Sequence, residues 1–174
     1  KNIYSKYYLA SGWFGIVIFL FWLIGFPQAL NYQEQNQLFL LTSDYFRNDL
    51  SIAGGLADYI SEFIVQFYYV PWLGAMLLAL VFVILQQLTW KLMKQHGDTY
   101  FPLSFLPALL MLWHMGDINT LLSLPVATIL AIFTAWIAKG LHRGFDLVII
   151  PILYWLVGPT VWIYVLLRCL ENGL

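Results

Sequence analysis

The chain has 174 residues, of which 61% are hydrophobic and only 10% are charged, and its formal net charge is −1. A soluble domain is roughly 45–50% apolar and about 25% charged, so this composition excludes an ordinary soluble fold and predicts a membrane protein. The basic residues stand in small clusters at the ends of apolar runs and do not form a continuous basic surface for the phosphate backbone of nucleic acid. Nucleic acid is therefore excluded as a partner. The single cysteine, Cys169, excludes an internal disulfide.

Long uncharged runs predict an all-α, polytopic bundle of transmembrane helices with about five spans. A helix needs about 20 apolar residues to cross roughly 30 Å of hydrocarbon. The first run is longer than the apolar core of a signal peptide, which favours a retained span. The third is short for a crossing, and the fifth contains Pro151 and Pro159, which predict a kink. The predicted spans of a single membrane domain, 1–174, are 7–26, 70–90, 99–116, 118–138 and 147–167.

The distribution of basic residues predicts the orientation of these spans, because Lys and Arg collect in short cytoplasmic loops. The three clusters that alternate with the spans are Lys1 and Lys6, Lys91 and Lys94, and Lys139 and Arg143. This alternation predicts a multi-pass protein with a cytoplasmic N-terminus. It leaves Arg47 and Arg168 as the basic residues on the opposite side.

The segment 29–69 is interrupted by charges throughout and is predicted to lie outside the bilayer. Apolar residues recur at helical spacing from Leu38 to Phe46, and again from Leu56 to Tyr69, which predicts two amphipathic helices on the membrane surface. The apolar stripe of the second helix is the candidate docking surface for lipid or for a membrane or periplasmic partner protein. It comprises Leu56, Ile60, Phe63 and Phe67.

Acidic residues of the same segment are candidates for a ligand or substrate site, although the sequence pattern that indicates them is not specific. Asp58 and Glu62 are one helical turn apart, which is typical either of a cation or acid/base site or of a solvated helix face. Asp44 and Asp49 flank Arg47 and carry the same two interpretations. No residue of the segment has an assigned catalytic role at this stage.

His114 and Asp117 form the second candidate pair, at the outer end of the third run. Their spacing would place an imidazole beside a carboxylate. One interpretation is a site that binds a metal or a lipid headgroup, and the other is the end of a short hairpin with no ligand. The chain lacks the His and Cys spacings of a zinc site and the motifs of hydrolases and nucleotide-binding loops. No metal site and no cofactor is therefore predicted.

The stretch TSDYFRNDLSIAGGLADYISEFIVQFYYVPWLGAMLLAL, residues 42–80, carries a family resemblance. Its Gly-Gly-Leu-Ala-Asp-Tyr core, followed by Gln-Phe-Tyr and by Pro-Trp-Leu-Gly, resembles an uncharacterised family of multi-spanning inner-membrane proteins of bacteroidete bacteria. The resemblance implies a bacterial inner-membrane location, and it implies that this chain is the N-terminal membrane region of a longer protein. It carries over no activity and no catalytic residue.

Two hypotheses of function follow from these observations. The favoured one is a non-catalytic membrane component that docks a partner or lipid through its external amphipathic helices. The alternative is an enzyme or carrier for lipid-linked polyprenyl or glycolipid substrates at the outer face, because a first span followed by an acidic external loop is reminiscent of polyprenyl-phosphate sugar transferases.

Overall fold

The computed structural model describes residues 2–94, 97–117 and 119–173, which form helices, turns and connecting segments without any strand. Contacts divide the chain into two compact units. Unit 1 comprises Lys1–Leu38 and Glu62–Leu121, and unit 2 comprises Phe39–Ser61 and Leu122–Leu174. The predicted all-α class is confirmed. Lys1, on which the orientation argument partly depends, lies outside the described residues.

The helices follow one another with short connections. The α-helices are α1 (Asn2–Leu20), α2 (Pro27–Asn36), α3 (Ser43–Leu50), α4 (Gly55–Val65), α5 (Pro71–Met93), α6 (Leu106–His114), α7 (Ser123–Ala138), α8 (Asp146–Val157) and α9 (Val161–Gly173). A π-helical turn, Phe21–Gly25, extends α1, and 3-10 turns cover Gln66–Tyr69, Asp98–Phe105, Arg143–Phe145 and Gly158–Thr160.

Three helical stretches are long and apolar enough to cross a membrane: Lys6–Gly25, Pro71–Met93 and Arg143–Leu170. These stretches are compatible with a membrane protein, but the predicted number of about five spans is not confirmed. The fourth predicted span, 118–138, is shorter than expected, because its apolar helix begins only at Ser123.

In unit 1, α1 packs along α5 through a close approach of small residues. A Cβ atom added at Gly15 would lie 2.9 Å from a methyl group of Val83. One turn earlier, the hydroxyl of Ser11 donates to Gln86 at 2.8 Å and accepts from Gln87 at 2.6 Å. Gln86 in turn donates to Ser104. Polar groups inside an apolar bundle are stabilised by such interhelical hydrogen bonds, which hold α1, α5 and the 98–105 turn together.

The segment between the first span and α3 differs from the prediction. The first span ends at Gly25, close to its predicted end, and after a non-helical Phe26 a separate helix α2 begins at Pro27. Proline is tolerated at the first position of a helix because its missing N–H would be unpaired there anyway. The amphipathic helix predicted from Leu38 begins only at Ser43, since the Thr42 hydroxyl accepts the backbone N–H of Tyr45 and caps the helix there.

In unit 2, hydrogen bonds show that α8 and α9 form an antiparallel hairpin. Asp146, in the first turn of α8, accepts hydrogen bonds from Tyr164 at 2.5 Å and from Arg168 at 3.1 Å, both of α9. In one straight helix, 22 residues would separate Asp146 from Arg168 by about 33 Å. The chain therefore reverses at Gly158, which has φ +64 and is followed by Pro159.

This reversal corrects the predicted fifth span. By length and composition alone, the stretch Arg143–Leu170 would cross a membrane once, but the hydrogen bonds exclude a single straight helix over 147–167. The predicted kink is instead a complete turn of the chain. Arg168 consequently lies at the same end of unit 2 as Arg143, so its predicted placement on the opposite side is wrong.

The tip of the hairpin packs against the turn between α3 and α4. The indole N–H of Trp155 donates to the carbonyl of Leu50 at 2.7 Å, and the backbone N–H of Gly54 donates to the carbonyl of Trp155 at 2.9 Å. Gly54 and Gly158 both have positive φ, and an added Cβ atom at either would lie 3.5–3.6 Å from the other's backbone. These distances are ordinary van der Waals contacts, so it is the positive φ, and not a lack of space, that favours glycine at both positions.

Gly55 offers a test of this turn. A Cβ atom added there would overlap the backbone carbonyl of Asp49, so the end of α3 would have to move. We expect Gly55→Ala to lower the free energy of unfolding in detergent by about 1–3 kcal/mol. Gly12→Ala is the matched control, since a Cβ atom there meets nothing within 4 Å. Equal stability of the two variants would contradict the described packing of the turn.

Candidate functional site

The structure brings together two of the predicted acidic residues, Asp49 and Asp58, from different helices. Asp49 is half-buried near the end of α3, and its Oδ2 atom is buried without a hydrogen-bond partner in the described part of the chain. Burial, and secondarily the negative charge of Asp58, raises the pKa of the Asp49 carboxyl. Asp44 is exposed in the first turn of α3. Sequence spacing had paired Asp58 with Glu62 instead, and that pairing stays a prediction.

The raised pKa of Asp49 predicts a pH dependence of stability. The folded state favours the protonated carboxyl. The contribution of Asp49 to stability is therefore fully present below its ordinary pKa of 3.8, which applies to the unfolded chain, and it is lost as pH rises through the higher pKa of the folded state. We therefore expect Asp49→Asn to stabilise the protein at neutral pH relative to the original chain, with the gain shrinking towards pH 3.8.

Thermal unfolding in detergent at several pH values would measure this gain. In an Asp58→Asn background the gain should be smaller, since one cause of the raised pKa is then removed. A variant Asp49→Asn that is less stable than the original chain at neutral pH would contradict the assignment.

His114 and Asp117 are both exposed, and the structure does not join their side chains. The Asp117 carboxylate accepts two hydrogen bonds from Asn119, from its backbone N–H at 2.9 Å and from its side chain at 3.1 Å. The His114 carbonyl accepts the Thr120 hydroxyl at 3.0 Å. These are the contacts of a tight turn, which favours the structural interpretation of the pair. In the residues described, no group of three or more His, Cys, Asp or Glu side chains is arranged to hold a metal.

The proposed docking stripe on α4 is only partly exposed. Leu56 and Ile60 are half-buried, whereas Phe63 and Phe67 expose 43% and 37% of their surface. The two phenylalanine rings pack edge to face, with their centroids 5.3 Å apart. A different line of α4 is buried, and it comprises Ala57, Ser61 and Val65. That these residues dock a partner or lipid stays a prediction.

Sequence analysis missed the most ordered polar cluster of the described residues, which lies at the open end of the α8–α9 hairpin. Both oxygens of Asp146 bind the guanidinium of Arg168, at 3.1–3.3 Å, and Oδ1 also accepts the hydroxyl of Tyr164. Arg168 further donates to the carbonyl of Leu141 at 3.0 Å. The side chains of Arg168 and Asp146 are 7% and 18% exposed, so this salt bridge is largely withdrawn from solvent.

Helix packing positions this cluster. Val161, Tyr164 and Arg168 form the buried line of α9, at spacings of three and four residues. Tyr164 and Arg168 of this line contact Asp146 of α8. The helix α9 also packs against α7, whose buried stripe of small side chains allows close approach. The stripe consists of Ala127, Ala131, Ala135 and Ala138. The acidic residue lies in the first turn of α8, where its negative charge complements the helix dipole.

A cleft of about 340 Å³ opens beside the cluster. Its polar lining includes both arginines, the Asp146 carboxylate and the Tyr164 hydroxyl, and its apolar lining includes Ile150 and Val165. The residues around it are Arg143, Asp146, Ile150, Tyr164, Val165, Arg168 and Cys169. Two arginines and one carboxylate leave one positive charge in surplus, which suits an anionic ligand.

A signal for this site was present in the sequence. Asp146 and Arg168 bracket a single apolar run, and Gly158 and Pro159 stand near its centre. An acid and a base at opposite ends of an apolar run meet only if the run folds back on itself. Gly-Pro is a recognised turn signal, so the combination is compatible with a hairpin, but it is equally compatible with a kink in one helix.

The all-helical fold, with its three long apolar stretches, is compatible with a membrane protein. The chain belongs to a family of unknown function (DUF6057), whose model matches residues 2–174. The expected membership in an uncharacterised family is thus confirmed, while the bacteroidete inner-membrane character of that family stays a prediction. No curated protein and no solved structure matches the chain.

Proposed function

We propose that this protein is a non-catalytic, multi-pass component of the bacterial inner membrane that engages lipid through the exposed aromatic side of the 63–72 segment. The observation that carries the proposal is the exposed, edge-to-face pair of Phe63 and Phe67 directly before the apolar helix α5. Tyr69 and Trp72 follow in the chain and are also exposed, with 76% and 55% of their area accessible. Aromatic side chains are enriched where a helix enters the headgroup region.

The charge distribution supports a cytoplasmic location for the open end of the hairpin in unit 2. Lys139 and Arg143 lie in the loop before α8, and the reversal of the chain adds Arg168 to the same end. Basic residues are retained on the cytoplasmic side of short loops. The corrected position of Arg168 therefore removes one of the two exceptions to the predicted orientation.

A fluorescence experiment tests the lipid contact. In a Cys169→Ser background, a single cysteine is introduced by Phe67→Cys. The control is Asn48→Cys, at an exposed position of α3. Each of the two variants is labelled with an environment-sensitive dye in nanodiscs. The Phe67 label should be quenched by brominated lipid, and the Asn48 label by aqueous iodide. Quenching of both labels by iodide alone would overturn the proposal.

The same labels distinguish lipid from a protein partner. In native membranes the Phe67 label should keep its sensitivity to lipid. Shielding from both brominated lipid and iodide, seen only in native membranes, would assign this surface to a partner protein instead.

One observation favours the alternative, an enzyme or carrier for lipid-linked polyprenyl or glycolipid substrates. The negative charge of Asp58 contributes to the raised pKa of Asp49, and a raised carboxyl pKa is typical of acid/base sites as well as of structural burial. Under this alternative, Asp49→Asn and Asp58→Asn should each abolish turnover of a lipid-linked sugar, whereas Asp44→Asn at the exposed position should not. Turnover in all three variants would exclude these carboxylates as catalytic groups.

A further inference from the structure

The lining of the cleft at the open end of the α8–α9 hairpin contains two arginines but one carboxylate. Asp146 binds Arg168 through both carboxylate oxygens, which pairs those two charges. Arg143 lines the same cleft and is exposed, and in the described residues its guanidinium makes no hydrogen bond and no salt bridge. It acts on the Asp146 carboxylate only through longer-range charge attraction. The surplus positive charge of the cleft is therefore located on Arg143.

The surroundings of the cleft suit an amphiphile better than a small soluble anion. Ile150 and Val165 line it, and strongly exposed apolar side chains stand beside it on both helices. These are Leu147 at 78% and Val148 at 60% exposure on α8, and Leu166 at 62% and Leu170 at 59% on α9. A bound molecule would meet a guanidinium at one end and apolar helix surface at the other.

We infer that this cleft binds one anionic phospholipid, with the phosphate of its headgroup on Arg143 and its acyl chains along the apolar sides of α8 and α9. A guanidinium binds phosphate oxygens through charge-assisted hydrogen bonds, and basic pockets at the membrane surface select anionic headgroups. The neutralised Asp146 repels the phosphate little, because Arg168 and Tyr164 already occupy its oxygens. The inference does not depend on the aromatic surface proposed above.

Cys169 provides a native probe of occupancy, since it lines the cleft, is exposed, and is the single cysteine of the sequence. The rate of its modification by uncharged N-ethylmaleimide is measured in nanodiscs of phosphatidylcholine, with and without phosphatidylglycerol. We expect modification at least about fivefold slower with phosphatidylglycerol, because a bound lipid covers the thiol. Equal rates in the two lipid mixtures would overturn the inference.

Two variants separate a bound lipid from a general effect of membrane charge. Arg143→Gln should abolish the protection of Cys169. Lys139→Gln removes the same charge from the same loop, but Lys139 does not line the cleft, so protection should persist. Protection that survives Arg143→Gln, or that is lost equally in both variants, would contradict a specific site.

Two further measurements identify the source of the phosphate group. Inorganic phosphate added to phosphatidylcholine nanodiscs should leave the rate of Cys169 modification unchanged. If inorganic phosphate protected Cys169 as well as phosphatidylglycerol does, the cleft would bind a soluble anion and the inference of a bound lipid would be wrong. Native mass spectrometry of the gently extracted protein should show one retained anionic phospholipid in the original chain and in Lys139→Gln. Its retention by Arg143→Gln would contradict the assignment.

Discussion

Replacing Arg168 by Met should lower the free energy of unfolding by about 3–5 kcal/mol, because it leaves the carboxylate of Asp146 withdrawn from solvent without its cation. The variant also removes the hydrogen bond to the carbonyl of Leu141. Since these contacts join α9 to α8 and to the loop before it, the open end of the hairpin should loosen. Unfolding by titration with a denaturing detergent measures the loss, and faster modification of Cys169 in the variant reports it locally.

Two further variants control this expectation. Arg143→Gln removes an exposed charge of the same loop and should change stability by no more than about 0.5 kcal/mol. The double variant Asp146→Asn with Arg168→Met should be more stable than Arg168→Met alone, because no unpaired charge then remains. A loss below about 1 kcal/mol for Arg168→Met would mean that the salt bridge does not hold the hairpin together.

The second large effect concerns the side of the membrane on which Cys169 is exposed. In a hairpin, Cys169 lies on the same side as the loop that contains His142, whereas in a single span over 147–167 it would lie on the opposite side. We expect a membrane-impermeant thiol reagent to reach Cys169 and a cysteine introduced by His142→Cys, in a Cys169→Ser background, from the same side. Labelling of intact and lysed spheroplasts provides the measurement.

Asn48→Cys in the Cys169→Ser background marks the other side. Asn48 is an exposed residue of α3, close to Leu50, whose carbonyl binds the hairpin tip at Trp155. It should be labelled from the side that does not reach Cys169. The opposite result would be that the reagent reaches Cys169 and the Asn48 cysteine from one side of the membrane and the His142 cysteine only from the other side. That result would mean that the run 147–167 crosses the membrane once, and it would exclude the hairpin in the membrane.

The candidate sites show how far spacing along one helix can be used. The spacing of one helical turn pairs Asp58 with Glu62, and this pairing stays a prediction; the spacing does not reveal that Asp58 also acts on the carboxyl group of Asp49, which lies on another helix. His114 and Asp117 have a plausible spacing, yet the carboxylate binds Asn119 within a turn. Spacing indicates which side chains share a face, and it does not indicate what another helix places opposite them.

The sequence by itself determined the class of this protein and the main apolar helices. The reason is local: a chain this apolar satisfies its backbone hydrogen bonds in a membrane by forming helices, so composition and run length are sufficient evidence. The small-residue contact of α1 was visible as well, since Ser11 and Gly15 stand one turn apart and both lie against α5.

Only the tertiary structure decided the course of the last apolar run. Gly158 and Pro159 permit either a kink in one helix or a reversal of the chain, and no local preference separates the two. The choice depends on the pairing of Asp146 with Arg168, 22 residues later, and on the packing of Gly158 against Gly54. These contacts form between segments distant in sequence, so the cleft that they create could not be located from spacing alone.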